Sequence, residues 1–515
     1  SYPVYQANLR GAAAVLAVQQ NGYGEVNSAA LNAQNISGPA DAPAFSLSRA
    51  DADRLRSLTG GFGGEAQVLF DARSTITRAG VSYNISGRVR GRDPDSMILL
   101  SAHYDSYFSG FQDDNAAVAM MLGIARALVA SGYQPRHTFL FCALAAEEWG
   151  ISDSKYDWST GAYNQIFRVR PDWVGKIIAD INFELPACAH GVQDVIRGVY
   201  EYSGFLKQFV EKRTKEETPF SGGVSVAAPV LTWSDDFSMA IAGVPSLVND
   251  FSDGSFMETH YHSQFDNAEA YDPEIYAFHH ALYGALALAF DRCAAAPLDF
   301  TARFAALIAS VDTALFSRAG VDSQALLAAA KTALICAEEC AIRTEQFNRV
   351  YDSAEGEAAD CAYSDAAAHN AALLRIFRRC EDAFVRLGWH DEILFPHEYA
   401  QRNLLLLERA DAALTARDVP AALDALMQID VNRYACFFDR PTCRHFTDYV
   451  LHQPPERLMW GAGRLVGLCD LGETVRTLQG KQGDAGVDLQ AERGAVADAA
   501  REQRAVLGKT AERER

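Results

Sequence analysis

A chain of 515 residues, 49% apolar and 22% charged, has the composition of a globular protein large enough for two to four domains, each with its own core. A net charge of −20 excludes nucleic acid as a favoured partner, because its phosphates would be repelled. No apolar run reaches the roughly 20 residues that span a bilayer, and the ten cysteines are scattered with no CxxC pair. That pattern is no disulfide framework and slightly favours a reducing, cytoplasmic compartment, although Cys436 and Cys443, flanking FFDRPT, are placed to bridge or to stay reduced. No signal peptide is recognisable, and a first residue of Ser in place of Met is expected of a trimmed N-terminus.

Residues 1–80 mix short apolar runs with Gly, Asn and Ser. From there, strand-like and helix-like segments alternate. SYNISGRVRG (82–91) and SMILLSAHYD (96–105) read as strands, and the segment 113–132 as an amphipathic helix ended by Gly132. HTFLFCALAA (137–146) is a continuous apolar run, as in a strand buried on both faces. KIIADINFELPA (176–187) and VPSLVNDF (244–251) repeat the theme, and 274–293 reads as a closing helix. This order predicts an α/β domain over 81–295, a mostly parallel mixed sheet flanked by helices. Over 296–480, Ala, Leu, Arg and Glu at helical spacing predict an all-α domain, with more apolar surface than an exposed bundle needs, and hence a homodimer. Residues 481–515 are polar and are expected as an exposed helix or a frayed tail.

In open α/β sheets, ligands bind beyond the carboxyl ends of the strands. Those ends carry acids and histidines: His103 and Asp105, Glu147 and Glu148, Glu184, and His262 and Asp266, with Asp113 and Asp114 opening the helix and Asp235 and Asp236 in WSDDFS. None of these clusters contains Lys or Arg. Imidazoles and carboxylates converging without cations repel one another unless a metal fills the gap. Nitrogen and oxygen donors without thiolate suit zinc, with manganese or cobalt as alternatives. Asp105, two residues past His103, is placed to orient that imidazole. Asp235 and Asp236 read as the start of a helix, and Tyr104, Tyr107, Phe108 and Phe111 as loop packing or an apolar substrate pocket. His190, His260, His279 and His280 are not expected to be ligands.

In order, AHYDS, GFQDDNAA, AEEWGISDS, INFEL, WSDDFSMAIAGVPS and YHSQFD resemble motifs of the zinc exopeptidase family, which includes bacterial aminopeptidases, glutamate carboxypeptidase II, glutaminyl cyclase and the inactive transferrin receptor. The resemblance covers 82–293. It implies His103, Asp114 and Glu184 on one zinc, Asp114, Glu148 and His262 on the other, Glu147 as general base, and Asp105 and Asp266 in support. Three departures stand out. Glu184 replaces the family's usual Asp and reaches one methylene further, which would change or weaken that metal site, with Asp180 as a fallback. The pair Asp113–Asp114 leaves two candidates for the shared carboxylate, and Asn115 favours Asp114. The small-residue stretch after it lacks the usual Gly. Outside this region, GAAAVLAV with DAPAFSLSRADADRLRSL resembles the second half of a protease-associated domain, and 300–450 more loosely the helical dimerisation domain of the carboxypeptidase and transferrin-receptor branch.

The resemblance implies a two-zinc hydrolase of amide bonds acting on a peptide or small amide, with an aminopeptidase favoured because the site has acids to spare for a substrate amine. A carboxypeptidase would need a cation for the terminal carboxylate, for which Arg168, Arg170 and Lys155 are candidates. The alternatives are an amidase on the same site, a one-zinc acyltransferase like glutaminyl cyclase, and a non-catalytic receptor.

Overall fold

The computed structural model describes residues 2–18, 27–31, 43–60, 67–69, 71, 73, 75, 80–150, 158–213, 218–251, 255–483 and 486–515. Near the start, β1 (Val15–Ala17) and β2 (Ala44–Ser46) pair in parallel. A helix, Arg49–Leu58, follows, with the Ser48 side chain accepting the Asp51 amide at its N-terminus. Much of the stretch expected to hold a partial protease-associated domain, including 19–26, 32–42 and 61–66, lies outside the described residues.

The main sheet has seven strands: β3 (Ile85–Val89), β4 (Asp93–His103), β5 (His137–Leu144), β6 (Ile177–Asn182), β7 (Asp194–Gly198), β8 (Val224–Ala227) and β9 (Ser246–Asn249). Their order is β3-β5-β4-β6-β9-β7-β8. β5, β4, β6 and β9 run parallel, β7 runs parallel to β8, and antiparallel pairs join β3 to β5 and β7 to β9. This is the expected mixed sheet flanked by helices, followed by a large helical region. β7 and β8 escaped the sequence reading because they are short and only partly buried, so their apolar runs are broken.

Alternate residues of β4 and β5 feed two layers. Ile98, Leu100, Phe139 and Phe141 pack with Met120, Ile124, Leu282 and Leu286 of the helices Ala116–Ser131 and Pro273–Asp291. Leu99, Leu140 and Cys142 pack with Ala162 and Met239 of the helices Thr160–Asn164 and Asp235–Ala242. Burial on both faces accounts for the unbroken apolar sequence of β5. Among the described residues, one helical stretch, Phe111–Ser131, is long and apolar enough to cross a membrane. It lies against the sheet, with Ala117, Met120, Met121, Ile124 and Leu128 buried.

The helical region includes two long neighbours, Gln324–Ser353 and Gly356–Phe384, and the helix Pro396–Thr415. The polar C-terminal stretch forms a helix, Gln490–Arg513, with Val496, Leu507 and Ala511 buried. All ten cysteines are free, so Cys436 and Cys443 do not bridge. Buried Arg303 ties the helical region to the turn that follows β7 by donating to Glu201 (Nη2–Oε2 3.0 Å) there and to Glu381 of the helix Gly356–Phe384. Replacing Arg303 by Met would leave two buried carboxylates without their cation. The expected cost is about 3–5 kcal/mol, read as a lower urea midpoint at unchanged slope.

Candidate metal centre

β4 ends on His103, β5 runs into Glu147 and Glu148, β6 runs into Glu184, and His262 follows β9 in the chain. The carboxyl ends of parallel strands thus deliver most of the polar groups to one place. His103, Asp113, Glu147, Glu184 and His262 are all buried.

The centre of the cluster is the Asp113 carboxylate. Its Oδ1 lies 3.2 Å from His103 Nε2 and its Oδ2 lies 3.0 Å from His262 Nε2. Glu184 Oε2 stands on the His103 side, 3.7 Å from Nε2, and Glu148 Oε1 on the His262 side, 3.1 Å from Nε2. Two donor sets therefore share one carboxylate: His103–Asp113–Glu184 and Asp113–Glu148–His262, each with ligand atoms within 4.8 Å of one another. A third set, His103–Glu147–Glu148, meets the same criterion. Asp113 Oδ2, Glu148 Oε1 and His262 Nε2 face one another without hydrogen-bond geometry, although all are buried. Buried polar atoms left in this state cost free energy unless something else satisfies them. A cation between them would do so, and carboxylate and imidazole donors fit zinc.

Asp114, expected from sequence as the shared carboxylate, is differently occupied. Its Oδ2 accepts the His103 amide at 3.2 Å and its Oδ1 accepts the Leu185 amide at 3.2 Å. It therefore braces the backbone of two strand ends. The peptide joining Asp113 and Asp114 is cis. Asn115, whose position favoured Asp114 in the sequence, instead donates to the Gly110 carbonyl at 2.8 Å. Electrostatics separate the two acids in the same sense. Burial opposes ionisation of Asp113, but its contacts with His103 and His262 outweigh this and hold the carboxyl well below the ordinary range. Burial and the neighbouring Glu184 push Asp114 well above it.

The supporting groups are well defined. Asp105 accepts the amides of Glu147 (3.0 Å) and Glu148 (3.2 Å), and its backbone carbonyl lies 2.9 Å from His103 Nδ1. That contact fixes the imidazole with Nε2 toward Asp113. Asp266 accepts the amides of Gln112 (2.8 Å) and Asp113 (3.0 Å) and so holds the loop that carries the central carboxylate. Replacing Asp105 by Ala should weaken metal binding about 10- to 100-fold, measured by competition with a chelator, because it frees the Glu147–Glu148 turn and removes the carboxylate that stands 3.6 Å from His103 Nδ1.

Glu147 Oε1 accepts the Ser159 hydroxyl at 2.9 Å, and its Oε2 lies 3.9 Å from His103 Nε2. Burial pushes its carboxyl well above the ordinary value. Glu184 Oε1 accepts the Ser234 hydroxyl, which in turn accepts from Asn182 Nδ2 at 2.7 Å. One carboxylate oxygen of Glu184 is thus held by Ser234, and the other, Oε2, stands toward His103. Asp180, the fallback, accepts from Ser101 Oγ at 2.8 Å and belongs to neither donor set. Asp235 and Asp236 open the helix Asp235–Ala242, with Ser234 before them. Sequence reasoning missed Ser159, which lies twelve residues past Glu147 with no motif to mark it, and gave Ser234 no role.

Tyr107 packs its ring against His262 (centroids 4.8 Å) and Trp149 (5.2 Å) and donates to the Glu148 carbonyl at 3.2 Å. His190 and His279 bond to the carbonyls of Leu185 and Pro186, His280 sits on the Tyr276 carbonyl, and His260 stacks on Phe256. Of the expected carboxylate-binding cations, Arg170 is paired with Asp172, Arg168 lies over the Tyr163 ring, and Lys155 lies outside the described residues. Among the described residues, no Lys or Arg forms an ion pair with an acid of either donor set.

Residues 84–287, less than half of the chain, match the profile of peptidase family M28. Similar stretches occur in a glutamate carboxypeptidase 2 homolog of Caenorhabditis elegans, 36% identical over 76 residues, 14% of this chain and 10% of that protein. They occur also in a probable leucine aminopeptidase 2 of Aspergillus fumigatus, 31% identical over 77 residues, 15% of each. The chain therefore matches only a small part of the length of these relatives. A solved structure described as a peptidase M28 precursor from Shewanella amazonensis is 19% identical, with 55% of this chain and 61% of that one covered and a TM-score of 0.39.

Proposed function

We propose, from the match of residues 84–287 to the profile of peptidase family M28, that this protein is a two-zinc metallopeptidase that removes a residue from one end of a peptide by hydrolysing the amide bond. The observation that carries the reading is the Asp113 carboxylate, set between His103 and His262 and flanked by Glu184 and Glu148. In this reading His103, Asp113 and Glu184 hold one zinc, and Asp113, Glu148 and His262 hold the other. Asp114 passes from ligand to backbone brace. Zinc bound there would polarise the scissile carbonyl and lower the pKa of a water.

The rest falls to the chain's own groups. Glu147, steadied by Ser159, takes the proton of the attacking water on Oε2 and returns it to the leaving amine. Asp105 holds Glu147 and His103 in mutual register, and Asp266 fixes the Asp113 loop. An amino-terminal substrate is favoured, because Asp113, Glu148 and Glu184 make the site acidic and, among the described residues, none of them forms an ion pair with Lys or Arg, so negative charge is left to meet a substrate amine. A helical-domain homodimer is carried forward as part of the same proposal.

A one-zinc acyltransferase remains the second reading, since Asp113, Glu148 and His262 form a complete donor set alone. One zinc per chain by elemental analysis would favour this second reading. A panel of free-amine aminoacyl anilides, their N-blocked analogues and N-acyl dipeptides with a free carboxylate, assayed with zinc, tests the polarity: turnover confined to free-amine substrates supports the aminopeptidase, whereas turnover only of substrates with a free carboxylate reverses it.

A further inference from the structure

Trp460 lies far along the chain from the M28-matched segment, in a short helical turn, Met459–Gly461, within the C-terminal region. Yet its side chain is fully buried in the same core as the catalytic sheet. Its indole Nε1 donates to Ser238 Oγ at 2.7 Å, and its ring meets Phe237 edge-on at 4.9 Å and Trp158 edge-on at 5.4 Å. Each contact leads to a group of the metal centre within a few residues.

On one side, Trp158 precedes Ser159. The Ser159 amide donates to the Glu147 carbonyl and the Thr160 amide to the Ala146 carbonyl, both at 2.8 Å, while Ser159 Oγ holds Glu147 Oε1. The 158–160 strap is therefore bonded along the turn that presents Glu147. On the other side, Phe237 and Ser238 belong to the helix Asp235–Ala242, which starts immediately after Ser234, the hydroxyl on Glu184. Arg464, four residues past Trp460, holds the far end of that helix by donating to the Ile241 carbonyl at 3.0 Å. A rigid helix transmits a displacement of one end to the other, so anchoring at 237–238 and 241 fixes where Ser234 stands.

We propose that Trp460 is a positioning residue of the metal centre, wedged between the Trp158–Ser159 strap and the helix Asp235–Ala242, so that the C-terminal region sets the placement of Glu147 and Glu184. The inference rests on the peptidase reading above for its kinetic consequence only. The M28-matched segment would then not be a complete catalytic unit in this protein.

The test compares the full-length parent with Trp460→Ala and Trp460→Phe, each checked for fold by circular dichroism and thermal midpoint. Trp460→Ala is expected to lower kcat about 10- to 100-fold with KM within about threefold of the parent, as small misplacements of reacting groups do, and to shift the visible absorption of the cobalt-substituted protein. Trp460→Phe keeps an aromatic ring between Phe237 and Trp158 and should recover most of both. If Trp460→Ala leaves kcat and the cobalt spectrum at parental values, the proposal is overturned. Should that variant not fold, Trp158→Leu removes the ring on which Trp460 presses, and parental values there overturn the proposal equally. A parent that hydrolyses no peptide counts against the peptidase reading alone, because the cobalt spectrum still decides the role of Trp460.

Discussion

Glu147→Gln should lower kcat by about two to four orders of magnitude, the range a positioned general base supplies, while the protein keeps its zinc. Gln has nearly the same shape, and its amide oxygen can still accept the Ser159 hydroxyl that now binds Glu147 Oε1. It cannot take up a proton. The change therefore separates proton transfer from the geometry of the site. Elemental analysis of the same sample matters, because Glu147 also stands in a donor set with His103 and Glu148. Activity lost together with zinc would make Glu147 a ligand and remove it as the base. Activity retained would leave the proton transfer to another group.

Asp113→Asn and Asp114→Asn should differ sharply. Asp113 faces both imidazoles, so its neutral amide removes a negative charge from both donor sets at once. Zinc should be lost from both positions and hydrolysis should fall by about three orders of magnitude or more, since the paired ions act together. Asp114 accepts two backbone amides, and an Asn oxygen can keep one of them. Zinc should stay, bound about 10- to 100-fold more weakly, as expected when a ligand's support is disturbed. Zinc content and hydrolysis measured on both variants decide the matter, and the reverse result would return the shared carboxylate to Asp114.

The contrast between these neighbours marks where the sequence stops being informative. His103, Glu148 and Glu184 could be found because each lies at or just past the end of a strand of a recognisable parallel sheet, and strand ends converge by topology, whereas His262 lies beyond the helix Ser255–Thr259 and was marked by its motif YHSQFD. Which of two adjacent acids faces the centre is tied to Asp266, which holds the Gln112 and Asp113 amides from far along the chain. Asn115, read as a pointer to Asp114, serves the Gly110 carbonyl. The strands β4, β5, β6 and β9 were legible because burial makes their sequences continuously apolar. β7 and β8 were not, since partly buried strands of four or five residues leave no such run. Ser159 and Trp460 reach the site only through tertiary contacts, and no local pattern announces them. The C-terminal stretch was read as a polar tail or exposed helix because apolar residues such as Val496 and Leu507 are sparse among its charges, yet they suffice to bury one face.

If Asp113 is shared by two zinc ions, anomalous diffraction at the zinc edge from crystals of the zinc-loaded protein will locate both. Two peaks are expected, one on each side of the Asp113 carboxylate, the first beside His103 and Glu184 and the second beside Glu148 and His262. A single peak, or two peaks bridged by Asp114, would rule out a shared Asp113.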